Sequence, residues 1–161
     1  MVDGVVQFRR FMYQTVPNTV RKAAREALEQ GAQELVELIR ALAPVDDGFL
    51  LASIGWTWGD PPKGAIALDE VSSAEDPSMR IVVYAGSELA FYARWVEFGT
   101  QPHALSRNAS VERGKRQDQG GWHPGAAAHP FFWPAYRTLR RRIKSRITRK
   151  INQAIRSLSN G

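Results

Sequence analysis

Three histidines, His103, His123 and His129, with Asp118 among them, are the residues whose types best suit a metal site in this 161-residue chain. Imidazole nitrogens and a carboxylate are ordinary zinc ligands. Their spacing argues against it. No two of the histidines fall at the interval that would place them on one helix face, and polar, loop-like sequence fills the gaps. Two of them precede proline (His123-Pro124 and His129-Pro130), where the backbone is held extended, so turn geometry accounts for them. Asp46-Asp47-Gly48 begins like a cation loop but lacks the further carboxylates that such a loop needs. It reads as a turn. General acid–base catalysis asks for two convergent groups with pKa values driven apart. Glu97 has no histidine or carboxylate at fixed spacing, and Arg94, three residues earlier, offers it an ion pair instead. With no cysteine there is no disulfide and no thiolate site. Nucleophile–base patterns and Gly-rich phosphate loops are also missing, so the expectation is a protein without catalysis, metal or cofactor.

The strongest chemical signal is charge. Residues 119–161 hold nine of the 22 Lys/Arg and none of the 16 Asp/Glu, so the first 118 residues are net acidic and the tail is net +9. Arg137, Arg140, Arg141, Arg142, Lys144, Arg146, Arg149, Lys150 and Arg156 surround an apolar stripe formed by Tyr136, Leu139, Ile143, Ile147, Ile151, Ala154 and Leu158. Such a helix can track phosphates in a salt-sensitive way, or it can meet an acidic protein face. It has no helix-turn-helix or other base-reading pattern.

The elements that must carry these residues follow from periodicity. From Pro17, apolar residues recur at three- and four-residue spacing (Val20, Ala24, Ala27, Leu28, Gly31, Leu35, Leu38, Ile39, Leu42), giving an amphipathic helix of about seven turns that ends before Pro44. Gly31 on its apolar stripe costs about 1 kcal/mol of helix propensity, which predicts a close neighbour there. After the PVDDGF turn, residues 53–58 alternate as a half-buried strand. Ala65–Leu68 reads as a weaker strand, Asp69–Ser78 as a polar loop and Met79–Ala85 as a buried strand. Glu88–Phe98 has helical spacing. Residues 106–121 are almost free of apolar side chains and read as a flexible loop. Pro134 is suited to open the last helix.

This pattern predicts an α+β fold: a small antiparallel sheet flanked by a long N-terminal helix, a short helix and a long basic C-terminal helix. Residues 1–16 form an arm or short helix carrying Val5, Phe8, Phe11 and Met12. A core spans 17–136, and 137–161 is the basic helix. No apolar run reaches the roughly 18–20 residues that span a bilayer, and the N-terminus lacks the order of a signal peptide. The expectation is a soluble, unexported chain with no membrane partner.

Three segments occur in a telling order: APVDDGFLLASI (Ala43–Ile54), YARWVEFGT (Tyr92–Thr100) and HPFFWPAY (His129–Tyr136). Together they resemble a family of small tail-component proteins of long-tailed bacteriophages, which act in head–tail joining or tail completion. The resemblance spans about the central ninety residues. It implies a tail-terminator-like fold, in which Pro44, Asp46 and Gly48 serve a turn, and Ser53 and Ile54 the strand after it. Tyr92, Glu97, Phe98, Gly99 and Thr100 would build a structural corner. Pro130, Phe131, Pro134 and Ala135 would start the last helix. Asp47 stands where the family usually has Thr, and Phe49-Leu50-Leu51 is more apolar than the common version.

Under this resemblance, the Glu97 carboxylate accepts N–H groups of the Gly99–Thr100 turn or pairs with Arg94, while Phe98 anchors the corner in the core. The implied assembly is a ring of identical copies, sixfold by likeness to tail tubes and terminators. The ring would stack on neighbouring neck and tail proteins: a head-completion or stopper protein, a tail terminator or the tail tube. The location would be the virion tail or neck, assembled in the host cytoplasm. Exposed apolar surface on the free chain is expected at Trp56, Trp58 and the N-terminal arm. The basic helix would face genomic DNA in the channel without sequence preference, or dock on an acidic ring. The alternative from a different class is a monomeric or dimeric protein that binds nucleic acid non-specifically through that helix.

Overall fold

The computed structural model describes residues 16–46, 48–71, 77–104 and 121–159. The expected N-terminal arm, Asp47 and nearly all of the 106–121 loop lie outside the described residues. The elements in chain order are α1 (Val16–Leu42), α2 (Phe49–Ala52), β1 (Gly55–Trp58), β2 (Ile66–Val71), a 3-10 turn (Pro77–Met79), β3 (Ile81–Ala85), α3 (Ala93–Phe98), β4 (His103–Ala104), β5 (Trp122–His123) and α4 (Phe132–Ser159). The class is α+β, with long helices at both ends of the described chain.

A three-stranded antiparallel sheet, ordered β1-β3-β2, forms the centre. β3 is the middle strand, which explains why it is apolar at every position. Ile81, Val83 and Ala85 join the main core, and Val82 is fully buried. β2 runs further than the sequence suggests: Asp69, Glu70 and Val71 pair with Val83, Val82 and Ile81 after a bulge between Ala67 and Asp69. Asp69 to Val71, read as loop, are strand because their backbone pairs with β3 at the edge of the sheet.

Two other expected elements are shorter. Ser53 and Ile54 do not belong to the strand, which starts at Gly55. The preceding residues close a helical turn instead, with Ala52 N–H donating to Gly48 O at 3.0 Å and Ser53 N–H to Phe49 O at 3.0 Å. Gly48 sits at φ 83°, the left-handed conformation that glycine adopts without penalty. The short helix begins at Ala93 rather than Glu88, because the Ser87 hydroxyl accepts the Ala90 N–H (3.1 Å) and bends the chain there.

The two long helices pack along one another. Gly31 marks the seam: a Cβ built on it would lie 2.7 Å from Ile143 Cγ2. The close neighbour predicted from that glycine is therefore α4. Leu28, Leu35 and Ile39 of α1, Phe131, Phe132 and Ala135 at the start of α4, and Leu50 and Ile54 complete the core. α4 runs unbroken through residues 136 and 137, so the basic tail is the continuation of a core-packed helix. Among the described residues no helix is long and apolar enough to cross a membrane.

Candidate functional site

Glu97 is the only carboxylate buried among the described residues, with 2% of its surface exposed. An isolated carboxylate in such a place is costly unless it is fully hydrogen-bonded. It is satisfied from an unexpected direction. Oε2 accepts the N–H groups of Phe131 (2.8 Å) and Phe132 (2.9 Å), and Oε1 that of Trp133 (3.1 Å). The next residue, Pro134, has no N–H to satisfy. Glu97 thus caps the whole N-terminus of α4 from 34 residues away in sequence, where the helix dipole also favours negative charge. Among the described residues, neither the Gly99–Thr100 turn nor Arg94, the partners that the resemblance implied, supplies its hydrogen bonds. Arg94 lies exposed on the outside of α3.

The residues around Glu97 hold this cap in place. Gly99 ends α3 at φ 70° and ψ −178°, a region open essentially to glycine. Its close approach to the returning chain leaves no room for a side chain, since a Cβ there would lie 2.6 Å from Ala126 O. Thr100 and Ala126 then exchange backbone hydrogen bonds (2.9 and 3.2 Å), and the Thr100 hydroxyl also accepts the Ala126 N–H at 2.9 Å. His129 N–H donates to Val96 O at 2.7 Å, bringing Pro130 and Phe131 under the corner. Tyr92 packs against the core, and its carbonyl accepts the Trp95 and Val96 N–H groups.

Ser53 plays a related part on the other side. Its buried hydroxyl donates to Leu50 O (2.7 Å) and accepts the Gly86 N–H (3.0 Å), tying α2 to the end of β3. Arg40 of α1 donates to Ile54 O at 2.6 Å. Pro44 is half-buried and Asp46 exposed at the α1–α2 turn.

Phe98 departs from expectation. It is 55% exposed instead of anchoring the corner. Because Glu97 and Ala93 take the inward side of α3, the residues half a turn away point out. Trp95 (50% exposed) and Phe98 lie there, and Phe91 (59%), in the turn before the helix, meets the Trp95 ring edge to face at 5.4 Å. The spacing was readable in the sequence, but its direction was not.

The apolar surface expected at Trp56 and Trp58 is instead largely covered. Both lie against the core, and their indole N–H groups donate to Gln33 (3.1 Å) and Glu29 (2.9 Å) of α1. Arg25 sits 4.2 Å over the Trp58 ring.

The basic helix divides into two sides. Arg146 (2.7 Å) and Arg142 (3.1 Å) both reach Glu34 of α1. The hydrogen bond from Arg146, helped by the charges of both arginines and opposed by partial burial, lowers the Glu34 pKa; the same bond raises that of Arg146. Arg137, Arg140, Arg141, Lys144, Arg149, Lys150 and Arg156 are exposed, and no carboxylate among the described residues pairs with them.

The histidines are arranged otherwise than their spacing implied. The β4–β5 ladder pairs His103 with His123 and stacks their rings at 5.1 Å. His103 Nδ1 lies 2.9 Å from Gln101 O, and His123 Nδ1 accepts the Gly125 N–H at 3.0 Å. No group of three or more potential metal ligands occurs among the described residues.

Neither the curated proteins nor the solved structures include a match to this chain. The family model of the bacteriophage HK97-gp10-like tail component matches residues 7–99. The match runs through α1, the sheet and α3 and stops at Gly99, so the entry into α4 lies beyond it, although Glu97 physically joins the two. Covering more than half of the sequence, it settles the identity: the chain belongs to the HK97-gp10-like family and is a structural component of a bacteriophage tail.

Proposed function

We propose that this tail component is a ring-forming adaptor without catalytic activity, acting in head–tail joining or tail completion at the phage neck. The observation that carries the reading is the exposed aromatic row formed by Phe91, in the turn before α3, with Trp95 and Phe98 on the helix, inside the family-matched region. Contiguous exposed aromatics on a small protein mark an interaction surface. Their display is a consequence of the Glu97 cap, so the same residue that builds the core also presents the contact row. In this reading copies of the chain form a closed ring, sixfold by likeness to tail tubes. It would be assembled in the host cytoplasm and held between a head-completion or stopper protein and the tail terminator or tube.

A second reading is favoured by a separate observation. Seven cations of α4 lack an intramolecular carboxylate partner among the described residues, whereas Arg142 and Arg146 are engaged by Glu34. Those seven can contact DNA phosphates, either in the ring lumen or, in the alternative function, as the protein's main activity.

Light scattering of the purified chain, with and without short duplex DNA at two salt concentrations, separates the readings. A discrete oligomer that binds duplex weakly supports the adaptor. A monomer or dimer that binds duplex tightly at physiological salt, with affinity falling steeply as salt rises, overturns it.

A further inference from the structure

Between α1, β3 and α4 runs an open groove of about 670 Å³. Its floor is apolar, formed by Leu28, Leu35, Ile81, Val83, Ile143 and Ile147, and Arg140, Arg141 and Lys144 stand along it. These three cations are among those with no carboxylate partner in the described chain. No residue of α3 lines the groove. The described chain therefore carries an apolar cleft with a cationic rim in one place and an exposed row of aromatic rings in another.

We propose that the row Phe91–Trp95–Phe98 of one copy docks into this groove on the next copy. The inference rests on the self-assembly reading above and names its contact surfaces. The dimensions agree. Phe91 to Phe98 is seven residue steps, about 10 Å at the helical rise, and the α4 residues lining the groove run from Tyr136 to Thr148, about 18 Å at the same rise, so the row fits within it. The chemistry agrees as well. Apolar floor meets apolar rings, while guanidinium and ammonium groups on the rim meet the ring faces, an attraction that strengthens when water is excluded. Arg25 over Trp58 is the same pairing within one chain.

Aromatic side chains bury roughly 150–250 Å² each. Three that are about half exposed would bring a substantial part of the roughly 800 Å² per partner in a stable interface. Because row and groove are different surfaces of one chain, the contact is head-to-tail. Such contacts close into rings when the rotation per copy allows it.

The chain has no cysteine, so introduced thiols report on this contact without background. Arg94→Cys lies on α3 beside the row, and Thr148→Cys lies on the groove; both positions are exposed, and both leave the aromatics and rim cations in place. With a short bismaleimide, the two single variants should cross-link when mixed and not when treated alone. Adding Trp95→Ser to the Arg94→Cys chain should lower the mixed cross-link at least about tenfold, with circular dichroism confirming the fold.

Cross-linking of Arg94→Cys to itself would mean a row-to-row contact and overturns the proposal. An oligomer by light scattering without the mixed cross-link overturns the docking mode and leaves the ring reading standing. A chain that stays monomeric at every concentration overturns both.

Discussion

Glu97 shows how one residue can look like a catalytic candidate and serve as a structural one. A buried, lone carboxylate attracts attention, and its hydrogen bonds point to its role: three backbone N–H groups at a helix start. Glu97→Ala would leave those donors buried and unpaired. At about 1 kcal/mol or more for each, the loss should be roughly 3 kcal/mol, read as a shift of the denaturation midpoint in urea. Glu97→Gln keeps one acceptor oxygen but turns an amide toward N–H groups, so it should fall between wild type and Glu97→Ala.

Glu34 supplies a pH signature at the same scale. Its carboxyl is held below its ordinary pKa, so its bonds to Arg142 and Arg146 stabilise the fold above about pH 4.5 and are lost as pH falls through the lowered value. Raised on the arginine side, the Arg146 pKa lies beyond any accessible range and adds no slope. Glu34→Gln should flatten the acid limb of stability by up to about 1 kcal/mol, measurable by thermal melts between pH 3 and 7.

Among the elements, the α1–α4 seam controls the architecture. Gly31→Ala should gain about 1 kcal/mol of helix propensity and lose more through the clash with Ile143, since overpacking costs about 1–3 kcal/mol. The net effect should be destabilising. Combined with Ile143→Ala, which removes the clashing methyl, Gly31→Ala should become neutral or stabilising. Calorimetry on the four chains of that cycle checks the coupling.

The long elements were legible in the sequence because their apolar periodicity is sustained over many turns, and Gly31 even announced its neighbour. Short elements were less so. Residues 53 and 54 alternate like strand but are captured by the i to i−4 bonds of α2. Asp69 to Val71 look like loop but are held by the ladder to β3. The corner itself was legible as a motif, while its partner was not. A hydrogen bond spanning 34 residues leaves no local trace, and it puts Glu97 on the buried side of α3 beside Ala93. Phe98, one position on, faces solvent. Trp56 and Trp58, which look free in the sequence, lie against α1 through hydrogen bonds to Gln33 and Glu29.

For the whole molecule, the uneven charge matters more than the net +6. The basic helix is not a detached tail: one side of it is built into the fold through Glu34, and the other cations are exposed, with no carboxylate partner among the described residues. Neutralising Arg137, Arg149 and Lys150 together, away from the groove, should cut duplex affinity and its salt slope by about three phosphate contacts. It should leave the oligomer unchanged, as judged by fluorescence anisotropy beside light scattering.

Self-assembly underlies the adaptor function, and its most direct test is the native mass of the intact protein across a concentration series. It predicts one discrete species at a fixed multiple of the 18.0 kDa chain, six by the family's likeness to tail rings, with nothing larger as concentration rises. A chain that remains at 18.0 kDa throughout, or an open-ended ladder of masses without closure, would contradict it.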